Sequence, residues 1–150
     1  MEYIEQLAKH FRGAIEIAKN ADEFRSNSFS RFNNFSGFPR ECCDDASILL
    51  AEYLLVHDII TDNVFGNYKG YPHAWLLDEH DNFIDITGDQ FNNNRDFPYS
   101  IESVYVGADN DFHRLFKNRT IRADRGIDSL GDGCQPRLND LYSKIIKHIK

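Results

Sequence analysis

From residue 2 to residue 19 the apolar positions Ile4, Leu7, Ala8, Phe11, Ala14, Ile15 and Ala18 recur every three or four residues, with Glu, Gln, Lys and Arg between them. That period lays one apolar stripe along a helix and predicts an amphipathic α-helix packed on a core. The period then breaks. Across residues 20–38 the rings Phe24, Phe29, Phe32, Phe35 and Phe38 stand among Asn, Ser and Arg without a regular repeat. This reads as an irregular segment pinned to the body by its rings, or as the lining of a groove. Helical spacing resumes from about residue 44 to residue 56, where Ala46, Leu49, Leu50, Tyr53 and Leu54 give the wide apolar face of a helix buried on several sides.

Beyond residue 60 the pattern shortens to a period of two. Strands are predicted over 63–69, 73–77, 83–87 and 103–107, with turns at 70–72 and 78–82. Residues 109–117 read as a short helix whose Asp109-Asn110-Asp111 start is a cap; a calcium loop would add a glycine and a distal glutamate. Residues 118–135, with Arg119, Arg122, Arg125 and several glycines, read as loop. A last helix is expected from Pro136, a favoured first helical position, with Leu138, Leu141, Ile145 and Ile149 on one face. Helices, then a run of strands, then helices predict an α+β fold with an antiparallel sheet, in a single domain spanning 1–150.

Composition narrows the function classes. The chain has 150 residues, enough for one proper core, with 41% apolar and 27% charged residues. A formal charge of -7 argues against generic nucleic-acid binding. No apolar run approaches the ~20 residues of a membrane helix, and the N-terminus lacks the basic and apolar regions of a signal peptide. Three cysteines, two of them neighbours, point to free thiols in a reducing compartment. The expectation is a cytoplasmic protein, or an effector or toxin exported without a cleavable signal. A zinc site from Cys42, Cys43, Cys134 and a histidine lacks Cys-x-x-Cys spacing, and neither a metal nor an organic cofactor is expected. Arg114, Lys117, Arg119, Arg122 and Arg125 read as a solvated basic face, and His10, His57, His80, His113 and His148 as surface residues.

Candidate chemistry begins at Phe38-Pro39-Arg40-Glu41-Cys42-Cys43-Asp44-Asp45-Ala46-Ser47, which leads into the second helix. A helix start presents N–H groups without intrahelical acceptors and a partial positive charge, and both favour a thiolate. Further on, His73, Trp75 and Leu77 share one face of a strand, and Phe83, Asp85 and Thr87 share one face of the next. If paired residues carry numbers with an even sum, His73 stands opposite or diagonal to Asp85 on the same face, across a loop of three or five residues. An odd sum would separate them. Joined, these residues make a Cys-His-Asp triad: a nucleophile, an acid/base, and a carboxylate that orients the imidazole.

Cys-x-Asp-x-Ser opening an apolar helix, then His73-Ala74-Trp75-Leu76, then Asp85-Ile86-Thr87, resembles the transglutaminase-like branch of the papain-like cysteine hydrolases. The resemblance covers residues 38–91 and extends to small bacterial members of that superfamily. It implies a nucleophile helix packed on a small antiparallel sheet with flanking helices. It further implies thioester-forming attack on a carboxamide or peptide bond, by a peptidase, glutamine deamidase or transglutaminase, with a protein or peptide carrying the amide as substrate. The catalytic set is then Cys43, His73 and Asp85, with Cys42, Trp75, Thr87 and Gln90 around it as substrate-binding residues. The Cys43 register, which puts Asp45 and Ser47 at the family's positions, is preferred; the Cys42 register puts Asp44 and Ala46 there. Asp44 departs from the family pattern, since a carboxylate beside the nucleophile opposes thiolate formation unless it points to solvent. The alternative is a silent transglutaminase-like binding domain using the aromatic 24–38 segment as a partner groove.

Overall fold

The computed structural model describes residues 1–24 and 35–149. The first stripe forms α1 (Glu2–Asn20), with Leu7, Ala8, Phe11, Ala14, Ile15 and Ala18 buried. The second forms α2 (Cys43–Val56), apolar on nearly every side as expected of a central helix. The strands are β1 (Thr61–Tyr68), β2 (Tyr71–Asp78), β3 (Phe83–Asp85), β4 (Tyr105–Gly107) and β5 (Lys117–Arg122). Between the last two lies the single-turn α3 (Asp111–Arg114), and α4 (Gln135–Ile146) closes the order, with proline in its first turn. The sheet runs β4-β3-β2-β1-β5, and every neighbouring pair is antiparallel. The architecture is therefore α+β with an antiparallel sheet.

Two local structures fix the registers. Lys69 and Gly70, at φ of 49° and 83°, make the two-residue loop between β1 and β2, with Tyr68 paired to Tyr71; two successive positive φ values are what a type I′ hairpin turn requires. After β2, the Asp78 carboxylate accepts the backbone N–H groups of His80 at 2.8 Å and Asn82 at 2.9 Å, closing a three-residue loop with Asp81 at a φ of 62°. That closure pairs Leu76 with Ile84 and Leu77 with Phe83, the even register.

The sheet separates two apolar clusters. Leu76, Ile84 and Ile86 face α1, α2 and α4 in the larger one. Val64, Trp75 and Phe83 face Phe91, Phe97, Phe112 and Phe116 in the smaller, almost wholly aromatic one. Phe24, Phe35 and Phe38 are buried in the larger cluster, while Phe29 and Phe32 lie outside the described residues.

Two cations, Arg12 buried and Arg137 half-buried, tie distant segments together. Arg12 of α1 donates to Ile86 O at 2.6 Å, to Ser103 O at 3.0 Å, and through both terminal nitrogens to the Asp89 carboxylate at 2.7 and 2.8 Å. Arg137 of α4 forms a forked pair with Asp45 in the first turn of α2. Asp45 is thereby committed to holding the helix rather than facing solvent.

Three expectations are corrected. The 118–135 loop begins as a strand, because the backbone of Lys117–Arg122 pairs with the edge of β1. The basic cluster is solvated as expected at Arg114, Lys117, Arg122 and Arg125, but the charge of its arginines is locally neutralised: Arg114 pairs with Asp111, Arg119 with Asp109, Arg122 with Asp124 and Arg125 with Asp62. Finally, β3, β4 and α3 are each shorter than their periodicity suggested. No helix among the described residues is long and apolar enough to cross a membrane.

Candidate active site

Cys43 is the first residue of α2, and Cys42 precedes it at the cap without a side-chain capping bond. The two neighbours have opposite environments. Cys42 is fully buried in the larger cluster, and burial, reinforced by the charges of Cys43 and Asp45, pushes its thiol far above the ordinary range. Cys43 is half-buried and opens into a groove of ≈ 460 Å³. Glu41, Asp44, Phe65, Gly66, Tyr71, Pro72, His73, Ala74, Gln90 and Phe91 complete its walls.

His73 reaches the groove from β2. Its Nε2 lies 2.7 Å from Asp85 Oδ2, the diagonal contact that the even register makes possible. Its Nδ1 lies 3.4 Å from the Gln90 amide nitrogen, and the Cys43 side chain, on the wall of the same groove, is a further electrostatic neighbour of the ring. Phe91, Phe116 and Trp75 pack around the imidazole with ring centroids 5.2, 5.2 and 5.4 Å away. Burial alone would discharge such a ring. The Asp85 carboxylate and Cys43 more than offset that, and the imidazolium is stabilised up to about 10 from an ordinary 6.5.

Asp85 is buried, which taken alone would favour its neutral form. Its bonds and charge attraction to His73 and His113 instead hold it well below the usual carboxylate range. Oδ1 accepts the Thr87 backbone N–H at 3.0 Å, while Oδ2 takes both rings, His73 at 2.7 Å and His113 at 2.8 Å.

His113 corrects the expectation of a surface histidine: it is buried and bonded to the centre of the site. Its position comes from Asn110, whose side-chain oxygen caps α3 by accepting the His113 backbone N–H at 2.8 Å and also meets Nδ1 at 2.7 Å. An asparagine cap followed by histidine three residues later was the available signal, but nothing in the sequence connects residue 113 to residue 85. His148 likewise has a partner, Glu23, with Nε2 at 2.6 Å from its carboxylate, and His57 meets the Tyr3 hydroxyl at 3.1 Å.

The residues expected around the triad divide. Gln90 lines the groove, next to Phe91, which was not expected there, and follows Asp89, which Arg12 grips. Cys42, Trp75 and Thr87 do not reach the wall. Cys42 packs in the core, Trp75 is completely buried against both histidines, and Thr87 is buried with its backbone on Asp85. Asp44 stays at the groove beside Cys43. One of its oxygens is buried without a hydrogen bond, its nearest cation is Arg122 at 4.0 Å, and burial with the neighbouring Asp45 raises its carboxyl above the ordinary range.

Among the described residues, His73, Asp85 and His113 form the one cluster with donors close enough to share a metal ion. Two ligands on a tetrahedral zinc, each ~2.0 Å from it, stand about 3.3 Å apart. The nitrogen–oxygen separations of 2.7 and 2.8 Å are those of hydrogen bonds. Comparison of the chain with protein-family models, with curated proteins and with solved structures finds no match.

Proposed function

We propose that the protein is a cysteine hydrolase or acyltransferase of papain-like, transglutaminase-like architecture, acting on a carboxamide or peptide bond. The observation that carries this reading is the continuous line from Cys43 at the groove, through the His73 ring, to the buried Asp85 carboxylate. Asp85 occupies Nε2, which leaves Nδ1 as the nitrogen available to the thiol. A His73 imidazolium stabilised this strongly favours the thiolate form of its partner.

In this reading the Cys43 sulfur attacks the carbonyl carbon of the bound amide. His73 gives the proton on Nδ1 to the departing ammonia or amine, and a thioester forms. Water or a second amine then adds to the thioester, His73 takes its proton, and the sulfur leaves as thiolate. The first N–H groups of α2 and the Gln90 amide are the donors placed to meet the negative oxygen of the intermediate. Phe65, Tyr71, Pro72 and Phe91 provide an apolar bed suited to a peptide side chain. The binding-domain alternative loses three of its rings, since Phe24, Phe35 and Phe38 are turned into the core.

The test is competitive alkylation with iodoacetamide at mildly acidic pH, with the labelled peptide identified by mass. Cys43 is expected to react far faster than free cysteine while exposed Cys134 reacts like it, and His73→Ala is expected to abolish the advantage. Slow and equal labelling of all three cysteines would overturn the proposal. Ammonia release from glutamine peptides, set against incorporation of a primary amine, separates deamidation from transamidation.

A further inference from the structure

His113 has no task in that reaction, yet its hydrogen bonds fix its proton count. The His113 backbone N–H donates to Asn110 Oδ1 at 2.8 Å, so that atom is an acceptor and must be the amide oxygen. The same oxygen lies 2.7 Å from His113 Nδ1, which therefore carries a hydrogen. At the far side of the ring, Nε2 meets Asp85 Oδ2 at 2.8 Å, where His73 Nε2 also arrives at 2.7 Å. A carboxylate oxygen only accepts. A protonated Asp85 would have a single hydrogen to give, and that hydrogen could serve only one ring. Oδ1 is no alternative seat for it, because Oδ1 accepts from Thr87. In every consistent arrangement a hydrogen lies between His113 Nε2 and Asp85 Oδ2.

We infer that His113 is a fourth member of the site, a positioning residue that holds a proton against Asp85 and divides the carboxylate's charge between two imidazoles. The proton count rests on the hydrogen-bond geometry together with an ionised Asp85, whose carboxyl is held well below its ordinary range. Its consequence for Cys43 rests on the function proposed above. Charge that Asp85 spends on His113 is withheld from His73, so His113 moderates the His73–Cys43 ion pair. The other polar and charged groups packed on His113 are already engaged. Asp109 is paired with Arg119, Arg119 donates to the His113 carbonyl at 2.5 Å, and the Tyr105 hydroxyl donates to Ala108 O. Asp85 is thus the carboxylate that the ring itself bonds.

Two measurements on the full chain test this. The first is the 15N and attached-proton spectrum of the histidine side chains at neutral pH, with His113 assigned by its loss in His113→Gln. Both His113 nitrogens are expected to carry hydrogens. A nitrogen with a bare lone pair would overturn the inference. So would stoichiometric zinc uptake that removes the hydrogen between His113 Nε2 and Asp85.

The second measurement is the pH profile of Cys43 alkylation in a Cys134→Ser background. His113→Gln keeps a donor for Asp85 but removes the charge. It is expected to move the midpoint of thiolate formation to lower pH by about one unit, a tenfold change in the equilibrium. An unchanged midpoint in the folded variant would overturn the shared charge. Should His113→Gln not fold, Asn110→Ser retains a helix cap while removing the acceptor at Nδ1, and the same direction of shift is expected. If wild-type Cys43 never reacts as a thiolate, the proposed function falls, and the spectrum still decides the proton count.

Discussion

Asp85, itself buried, must satisfy three donors with two oxygens, and the energetic consequences follow from its burial. Removing a partner from a buried charge network costs about 3–5 kcal/mol, because the groups left behind remain buried and unpaired. Asp85→Ala is expected to lower the unfolding free energy by that order in urea titrations. The pH dependence has a definite sign. His73 is raised above its unfolded value, so its contribution is complete below pH 6.5 and is lost as pH rises through about 10. Asp85 is depressed, so its contribution is present above its ordinary 3.8 and lost only as pH falls towards its lower folded value. Wild-type stability should therefore hold between these limits and decline on the alkaline side. His73→Gln should flatten that decline, as read from urea midpoints across pH. Strand parity made His73 and Asp85 legible as neighbours, since a period of two leaves only an even or an odd register. His113 was illegible because its link to Asp85 runs through a single-turn helix and no periodicity spans it. The split between Cys42 and Cys43 depends on the rotation of α2 about its axis, which two adjacent thiols do not reveal.

At the level of elements, the site depends on close backbone approaches. Across β1 and β5 the pairing shifts between Phe65 and Asn67, so that Asn118 and Arg119 together oppose the single Gly66, with Asn118 at a φ of 55°. Such a bulge re-aims side chains, and Gly66 pairs on its other side with His73. A Cβ at Gly66 would sit 2.8 Å from the Phe116 Cβ, an atom fixed to its own backbone. Gly88 is equally confined, with Ile101, Phe112 and Asp85 Oδ2 at 2.9, 3.3 and 3.2 Å from an added Cβ. Gly88→Ala is expected to cost about 1–3 kcal/mol as an overpacked site. Unlike an ordinary core substitution, it should also alter the Cys43 alkylation profile, because it pushes on the oxygen that both histidines use. Arg12→Met should cost about 3 kcal/mol or more by abandoning Asp89 and two carbonyls. It should also slow thiol chemistry through the adjoining Gln90. The β5 strand shows why an edge escapes a pattern search. Ile121 is its sole strongly apolar residue and is 60% exposed, so backbone pairing to β1 rather than a buried face makes it a strand.

For the molecule as a whole, the sheet separates an aliphatic-rich cluster beneath three helices from an aromatic one, and the two are stabilised differently. Arg137→Ala cuts the tie between α4 and the first turn of α2, exposing Asp45 as an unpaired buried charge. It is expected to lower the urea midpoint while loosening the placement of Cys43, detectable as a reduced alkylation rate with Cys134 unaffected. The large pattern was legible because α1, α2 and β1–β3 each bury a face. The extents of the later elements were not, because their backbone is held by side-chain caps and ion pairs that leave no periodic trace. The aromatic cluster contains the sole tryptophan of the chain. Trp75 is wholly enclosed, with ring centroids 5.4 Å from His73 and 4.7 Å from His113. Indole emission is quenched by a nearby imidazolium and is blue-shifted when dry. The protein thus carries its own optical electrode: native fluorescence should brighten as pH rises through about 10 and His73 gives up its charge, with no label attached.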